Sequence, residues 1–379
     1  MLDCMRIAFV TDAAYPWNVG GLEALEYNEA HELSKYYDVH FFSFRWPNMK
    51  PTFKKDGITY HTCHNITKEK FYRHGRRSIR EAIIYSVEIL RIFKYRFDFV
   101  QVNEFPILHI PLLKLYCIFR RSKMVLDVAE VWDKDYWVTY LGKFLGYLAY
   151  AFANWALKMG DAYIVNSSTT KELLIKKGVP NRKVSIFSPV LNSRLLSSIQ
   201  AGRDSKRIIY AGRLIKEKGL DEWLRIIAEL NKSKKDFEAL IIGEGPEKKN
   251  LEKLISENGL ESKVRIRNFY PESKKALLYK AIKESKLLLQ MSRREGLSII
   301  VLESLALGTP VVLPRYSPIP KEVKDMCVVE DKKALPRKIS EILESNEKSS
   351  YIKNKQNLEL FSISGIKNFY DNLFSRLRK

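Results

Sequence analysis

The sequence predicts an α/β protein made of two Rossmann-like domains, each a doubly wound parallel sheet. Three observations lead there. Short, apolar, β-rich runs alternate with stretches of helical periodicity along almost the whole chain. The alternation lapses once, in the polar and patternless stretch LNSRLLSSIQAGRDSK, and then starts afresh. At 379 residues the chain is too long for one ordinary core and suits two domains of similar size.

In order, the strands expected before that linker are Arg6 to Thr11, Val39 to Phe44, Ile58 to Cys63, Phe97 to Val102, Met124 to Val128, Tyr163 to Asn166 and Val184 to Phe187. Helical patterns such as LEALEYNEAHELSKY and STTKELLIKKGV lie between most of them. After the linker, RIIYAG, FEALIIGEG, VRIRNF, KLLLQMS, TPVVLP and MCVVED read as strands, each followed by a helical or polar turn pattern. The expected domains are residues 1–190 and 205–361.

With 46% hydrophobic and 29% charged residues the chain is globular rather than disordered. Its net charge of +21, from 65 Lys and Arg against 44 Asp and Glu, calls for a polyanionic partner or an anionic surface. The excess is shared, 28 basic against 19 acidic residues up to position 197 and 37 against 25 beyond it. That distribution argues against one nucleic-acid stripe, and no RRM, KH or helix-turn-helix signature is present, so no nucleic-acid partner is expected. A basic nucleic-acid-binding protein is the competing class of reading, to be told apart by salt-sensitive RNA retention. The four cysteines form no CxxC pair, which indicates neither a zinc site nor a disulfide framework and makes a reducing, cytoplasmic setting the expectation. MLDCMRIAFVTD lacks signal-peptide anatomy. Trp137 to Leu157 is long enough for a bilayer and carries only Lys143, but Tyr, Gly and Asn154 dilute it, and a buried core helix is the expected form.

Ligands of doubly wound sheets bind beyond the carboxyl ends of the strands, where loops meet helix N-termini. After the first strand, DAAYPWNVGGLEALEY places Gly20 and Gly21 immediately before a helix. The spacing is not GxGxxG; the pair either lets backbone N–H groups approach a phosphate or simply turns the chain. The second sheet opens with YAGRLIKEKGLDEW. Gly212 and Arg213 end a strand, Lys218 and Gly219 precede a helix, and the two cations straddle a loop where an anion fits, unless both are solvated surface charges. IIGEGPE adds Gly243 and Gly245, which allow close ligand approach or a plain turn.

In RREGLSIIVLESLAL, RREGLS is the loop after a buried strand, and the following helix reads as capped by Ser298 and stopped at Gly308 to Pro310. The helix is apolar nearly all round yet carries Glu303, and glutamate is almost never fully buried without a partner. About five residues in, at 1.5 Å each, Glu303 stands roughly 7 to 8 Å from the N-terminus. A diphosphate held there places an attached ribose near Glu303 and the group beyond its other phosphate near Glu295. A structural ion pair with Lys or Arg is the alternative reading of Glu303.

Together GRLIKEKG, IIGEGPEKKNLEKL, EGLSIIVLESLALGTPVV and NVGGLE resemble the retaining nucleotide-sugar glycosyltransferases of family four, also called group one, which have the two-domain GT-B fold. The resemblance spans nearly the whole chain, including IVNSSTTKELLIKKG and FSISGIKNFYDNLFSRL. It implies two domains facing a cleft, the first binding the acceptor and the second a nucleoside-diphosphate sugar, with a helix over Ser364 to Leu377 crossing back onto the first. It matches Glu295 to Glu303 to the family's E-x7-E element, and Arg213 and Lys218 to its diphosphate-binding cations. Gly20, Gly21, Gly212, Gly243, Gly296, Leu297, Ser298 and Glu303 fall on the donor side, Glu130 on the acceptor side. The sequence departs in two places. Family members often carry VHD or VHE where LDVAEVWDKDYW has Ala129 in place of His and keeps Glu130, and SPVLNS replaces the usual PNGVD.

The implied reaction develops oxocarbenium character on the sugar and negative charge on the departing diphosphate. Arg213, Lys218 and the N–H groups of Gly296 to Ser298 would stabilise that charge, while Glu295 holds sugar hydroxyls. No metal or other cofactor is expected, and the DKD at Asp133 to Asp135 is read as a surface or acceptor-side feature. A nucleotide-sugar epimerase of the same fold is the alternative, distinguished by donor turnover without acceptor. The acceptor is expected to be lipid-linked and met at the anionic cytoplasmic face of a membrane. Lys68 to Arg96 holds nine Lys and Arg against three Glu, and Ile79, Ile83, Leu90 and Phe93 fall near helical spacing. That is a basic amphipathic helix suited to headgroups, or ordinary packing with a solvated basic face.

Overall fold

Eight strands build the first sheet among the described residues: β1 (Arg6–Val10), β2 (Asp38–Arg45), β3 (Thr52–Lys55), β4 (Ile58–Asn65), β5 (Phe99–Asn103), β6 (Lys123–Val128), β7 (Ala162–Val165) and β8 (Val184–Ile186). The computed structural model describes residues 5–18, 21–73, 76–200, 206–233, 235–270 and 274–378. The chain divides into two units, Met1–Val190 together with Ile363–Lys379, and Leu191–Ser362.

Strand order in the first unit is β8-β7-β6-β5-β1-β2-β4-β3, all parallel except β3 against β4. Helices α1 (Gly21–Leu33), α2 (Ile79–Glu88), α3 (His109–Arg120), α4 (Lys134–Leu141), α5 (Lys143–Ala156) and α6 (Ser168–Lys176) connect the strands. The sheet interior is aromatic, with Phe9, Phe41, Phe42, Phe44, Tyr60, Tyr85 and Tyr116 fully buried. The C-terminal helix Ile366–Arg378 completes this core: Ile366, Tyr370, Leu373 and Phe374 are buried in it, and the Phe374 ring stacks on Phe99 at 4.1 Å. Beneath that helix lies a polar layer. Gln101 donates to Glu29 (2.9 Å) and Asp127 (3.2 Å), and the Tyr370 hydroxyl lies 2.8 Å from Glu29 and 2.7 Å from the Gln101 carbonyl. Burial pushes both Glu29 and Asp127 well above the usual carboxylate range.

The second unit has strand order β11-β10-β9-β12-β13-β14, built from β9 (Arg207–Ala211), β10 (Glu238–Ile242), β11 (Val264–Arg267), β12 (Leu287–Leu289), β13 (Val311–Pro314) and β14 (Val328–Glu330), all parallel. Its helices include α7 (Leu220–Lys232), α8 (Lys248–Glu257), α9 (Lys275–Glu284) and α10 (Ile299–Ala306). In α7, Leu220, Trp223, Leu224, Ile226, Ile227 and Leu230 are all buried, the ordinary stripe of a helix laid on a sheet. In each sheet the strand order reverses beside the first strand, the doubly wound arrangement expected of both domains.

Four expectations need correction. First, β3 is an addition: Asp56 and Gly57, both at positive φ (51° and 82°), close a two-residue hairpin into β4, a D-G turn signal that the short, exposed TFKK strand had masked. Second, the linker is partly ordered. Asn192 caps a short helix, Ser193–Ser198, by accepting from the Leu195 N–H at 3.1 Å. Third, 137–157 is not one core helix. Gly142 at φ 82° breaks it into α4 and α5, and α5 turns large apolar side chains to solvent. Fourth, the basic 68–96 segment is not one helix. It runs as a helical turn at Lys68–Phe71, a two-stranded ribbon at Tyr72–Arg73 and Arg76–Arg77, then α2 and a 3-10 turn at Ile89–Lys94. Of its proposed apolar stripe, Ile79, Ile83 and Leu90 are exposed, while Phe93 packs on the core.

Candidate functional site

Parallel neighbours put their loops at the same sheet edge. β9 pairs with β12, so the loop after β9, which holds Arg213 to Gly219, meets the loop after β12, which holds Gln290 to Ser298. The meeting is charged. Lys218 Nζ donates to Glu295 Oε1 at 2.5 Å, and the same oxygen accepts from Gln290 Nε2 (3.0 Å) and Ser292 Oγ (3.1 Å). Both partners are largely sheltered, with side-chain exposures of 17% and 10%, so the pair is less screened than a surface bridge.

Two glycines permit this approach. Gly219 starts α7 at φ 64°, and a Cβ there would collide with the Met291 carbonyl. Gly243 after β10 lies so close to the Gly212 carbonyl that a Cβ would overlap it. Gly219 is required for conformation as well as space, Gly243 for space alone. Arg213 is exposed, and its carbonyl accepts from the Tyr210 hydroxyl at 2.9 Å.

Arg293 ties the two loops together, a role the sequence reading missed. Its backbone N–H donates to Glu217 O (2.8 Å), and its guanidinium reaches Asp221 (2.9 Å to each carboxylate oxygen) and Glu222 (3.1 Å) at the start of α7. Burial alone would raise Glu222, but hydrogen bonds from Tyr316, Lys332 and Arg293 outweigh it and bring the carboxyl down to about 2. The signal lay in the doubled arginine of RREGLS, whose two members look equivalent until the loop is folded.

Gly296, Leu297 and Ser298 lead into α10. Leu297 is buried. The cap is not the one expected: Ser298 sits at φ 64°, ψ 79° and makes no side-chain capping hydrogen bond. The left-handed turn itself starts the helix, and α10 buries Val301, Leu302, Ser304 and Leu305 along with Glu303. Glu303 is the fifth residue of α10. Its Oε1 accepts from the Tyr279 hydroxyl at 2.5 Å and lies 3.6 Å from Lys275 Nζ, both on α9. Neither partner was singled out in the sequence, because nothing in a periodic amphipathic helix marks which tyrosine or lysine will face a neighbouring helix.

In the first unit, Gly21 opens α1, whereas Gly20 lies outside the described residues. Asp12, just past β1, pairs with Arg77 at 3.0 and 3.1 Å; burial prevails over that cation and raises its carboxyl to about 6. Beyond β6, Glu104 Oε1 accepts from the backbone N–H groups of both Ala129 and Glu130 at 3.0 Å. Glu130 in turn accepts from the Trp132 indole N–H at 3.1 Å. Glu104 is thus the residue that holds the turn where an imidazole was expected, and burial, then the nearby Asp127, raises it to about 8. Asp133 has a structural task. It caps α4 by accepting from the Tyr136 N–H at 2.7 Å, and among the described residues no group of three or more His, Cys, Asp or Glu is placed to hold a metal ion.

Comparison with known proteins gives two family matches that between them cover most of the chain: glycosyltransferase family 4 over residues 19–193 and glycosyl transferases group 1 over residues 195–358. An uncharacterized glycosyltransferase of Haemophilus influenzae is 26% identical over 310 residues, 81% of this chain and 80% of its own. A putative colanic acid biosynthesis glycosyltransferase, WcaL of Escherichia coli, is 28% identical over 44% of this chain and 42% of its own. Among solved structures, sucrose-phosphate synthase from Thermosynechococcus elongatus superposes with a TM-score of 0.74 at 15% identity, covering 98% of this chain and 99% of that one. Anabaena HepE in complex with UDP and glucose gives 0.71 at 15% identity, covering 98% and 100%.

Proposed function

The chain belongs to the group 1, family four glycosyltransferases of GT-B fold, and we propose that it moves a hexose, with retention, from a nucleoside-diphosphate sugar to a lipid-linked glycan acceptor without a metal ion. The observation that carries the donor half is the Lys218–Glu295 pair, set beside the backbone that enters α10. In this reading the diphosphate binds where Lys218, Arg213 and the N–H groups of Gly296 to Ser298 converge. The bond from the anomeric carbon to the diphosphate oxygen breaks while the acceptor oxygen forms its bond on the same face. The acceptor proton passes to the departing diphosphate, and the fixed donors stabilise the charge that builds there. Glu295 holds sugar hydroxyls and Glu303 the ribose. The neighbour bound to UDP and glucose favours a nucleotide-sugar donor of this kind.

For the acceptor, Glu130 on its Glu104-held turn is assigned to the first unit, working at the anionic cytoplasmic face of a membrane. The membrane-surface part of this reading draws on the basic 68–96 segment, with Ile79, Ile83 and Leu90 exposed. A panel of UDP-, GDP- and ADP-sugars tests the reading through slow donor hydrolysis and thermal stabilisation. Stabilisation by no nucleotide sugar would end it.

A further inference from the structure

Soluble helices bury their large apolar residues and expose their small or polar ones; α5 does the reverse. Gly146, Ala153 and Ala156 face inward, and Gly146 sits so close to α4 that a Cβ would overlap the Val138 backbone. Facing outward are Phe144 (77% exposed), Leu145, Tyr147, Leu148 and Trp155 (54%). At 100° per residue, Phe144, Leu148 and Trp155 fall on one line, with Leu145 and Tyr147 to either side. The inversion is confined to this unit. Helix α7 in the other unit turns all six of its large apolar residues inward, and of the 21 large hydrophobic residues that are exposed among those described, 17 belong to the first unit.

Neighbouring helices extend the surface. The connections through α2, α3, α5 and α6 all carry the chain across the sheet in one direction, so right-handed crossovers place these helices on one face, opposite α1 and the C-terminal helix. On that face α2 exposes Ile79, Ile83 and Val87, and α3 exposes Leu115, Ile118 and Phe119. The charges among them are chiefly of one sign. Between Asp135 and Asp161 the only ionic side chains are Lys143 and Lys158, and Arg120, Arg121 and Lys123 follow Phe119. A second copy docked here about a twofold axis would set lysine against lysine, whereas anionic headgroups suit both the cations and the apolar row. No helix of the described residues is long and apolar enough to cross a membrane.

We propose that α5 lies in the plane of an anionic phospholipid bilayer, sinking Phe144, Leu145, Leu148 and Trp155 into the boundary between headgroups and acyl chains while Lys143 and Lys158 remain at the headgroups. This deepens the membrane part of the function proposed above, and the binding itself requires no substrate. The test is co-sedimentation of the whole chain with vesicles of phosphatidylglycerol and phosphatidylcholine. The parent should bind. Phe144→Ser, Leu145→Ser and Leu148→Ser combined should weaken partition at least tenfold with an unchanged melting temperature, since exposed side chains contribute little to folding. Brominated lipid should quench tryptophan fluorescence in the parent and markedly less in Trp155→Phe. A parent that stays in the supernatant at low salt, a triple variant that binds as tightly as the parent, or a patch whose loss abolishes a dimer rather than vesicle binding overturns the proposal. Vesicle binding by a chain that turns over no nucleotide sugar would sink the transferase reading and leave this one standing.

Discussion

Lys218 and Glu295 meet at 2.5 Å although 77 residues separate them, because they end the loops of two strands that lie side by side. Neither loop alone makes a site. Lys218→Ala is expected to lower turnover on the order of a hundredfold or more, through loss of a fixed donor to the leaving group. Arg213→Ala should do likewise while melting at the parental temperature, because Arg213 is exposed. Steady-state rates on the preferred donor decide it; parental turnover in both variants would remove these cations from the mechanism.

Glu303 lies within an α9–α10 contact, so the proposed binding role has to be told apart from a packing role. Glu303→Gln should weaken binding of the free nucleoside diphosphate, since an amide offers fewer acceptors than a carboxylate. Tyr279→Phe removes an internal donor to that carboxylate and should cost about 1 kcal/mol of stability. Titration calorimetry with UDP and GDP measures the first, thermal melting the second. Parental affinity in the Gln variant would make Glu303 a packing residue.

Activity should survive excess EDTA, with a helix start and two cations doing the work of an ion. Asp133→Ala should lower stability by about 1 kcal/mol, the usual cost of losing a helix cap, and leave any metal response unchanged. Restoration of EDTA-treated enzyme by Mn²⁺, lost in that variant, would contradict this.

Stability should depend on pH in the direction set by buried acids. Glu104 at about 8 and Asp12 at about 6 lie above the unfolded value of about 4, so the native state holds protons that the unfolded chain has released. Their contribution is full below about pH 4 and is lost as pH rises to about 8. The melting temperature should therefore climb from about pH 8.5 down to about pH 5.5, and Glu104→Gln, whose carbonyl can still accept from Ala129 and Glu130, should flatten that slope. A flat parental profile would refute the protonated state of these groups.

Much of this was legible beforehand, for a physical reason. Parallel strands buried on both faces read as apolar runs, and Leu287 to Leu289, wholly buried, stands out in any reading of KLLLQMS. Glu303 announced itself as a charge inside a greasy helix. What stayed hidden depends on direction rather than composition. The periodicity of α5 gives an apolar arc but not which arc meets the protein, so a helix with its apolar arc outward and a core helix have the same spectrum. Glu104 was invisible for a related reason: as a single acid after a strand it acquires meaning only when β5 and β6 lie side by side.

The C-terminal helix also orders events during synthesis. Residues 363–379 belong to the first unit but are made after every residue of the second, which is one uninterrupted stretch. On the ribosome the later unit can therefore finish folding while the earlier one still waits, its Glu29, Gln101 and Asp127 without Tyr370 and its Phe99 without Phe374. During that interval the nascent first unit shows, on one side, the part of its sheet face beside α1 that Tyr370 and Phe374 will cover and, on the other, the apolar row of α5, so a chaperone has the greatest opportunity to engage the chain just before residues 363–379 emerge.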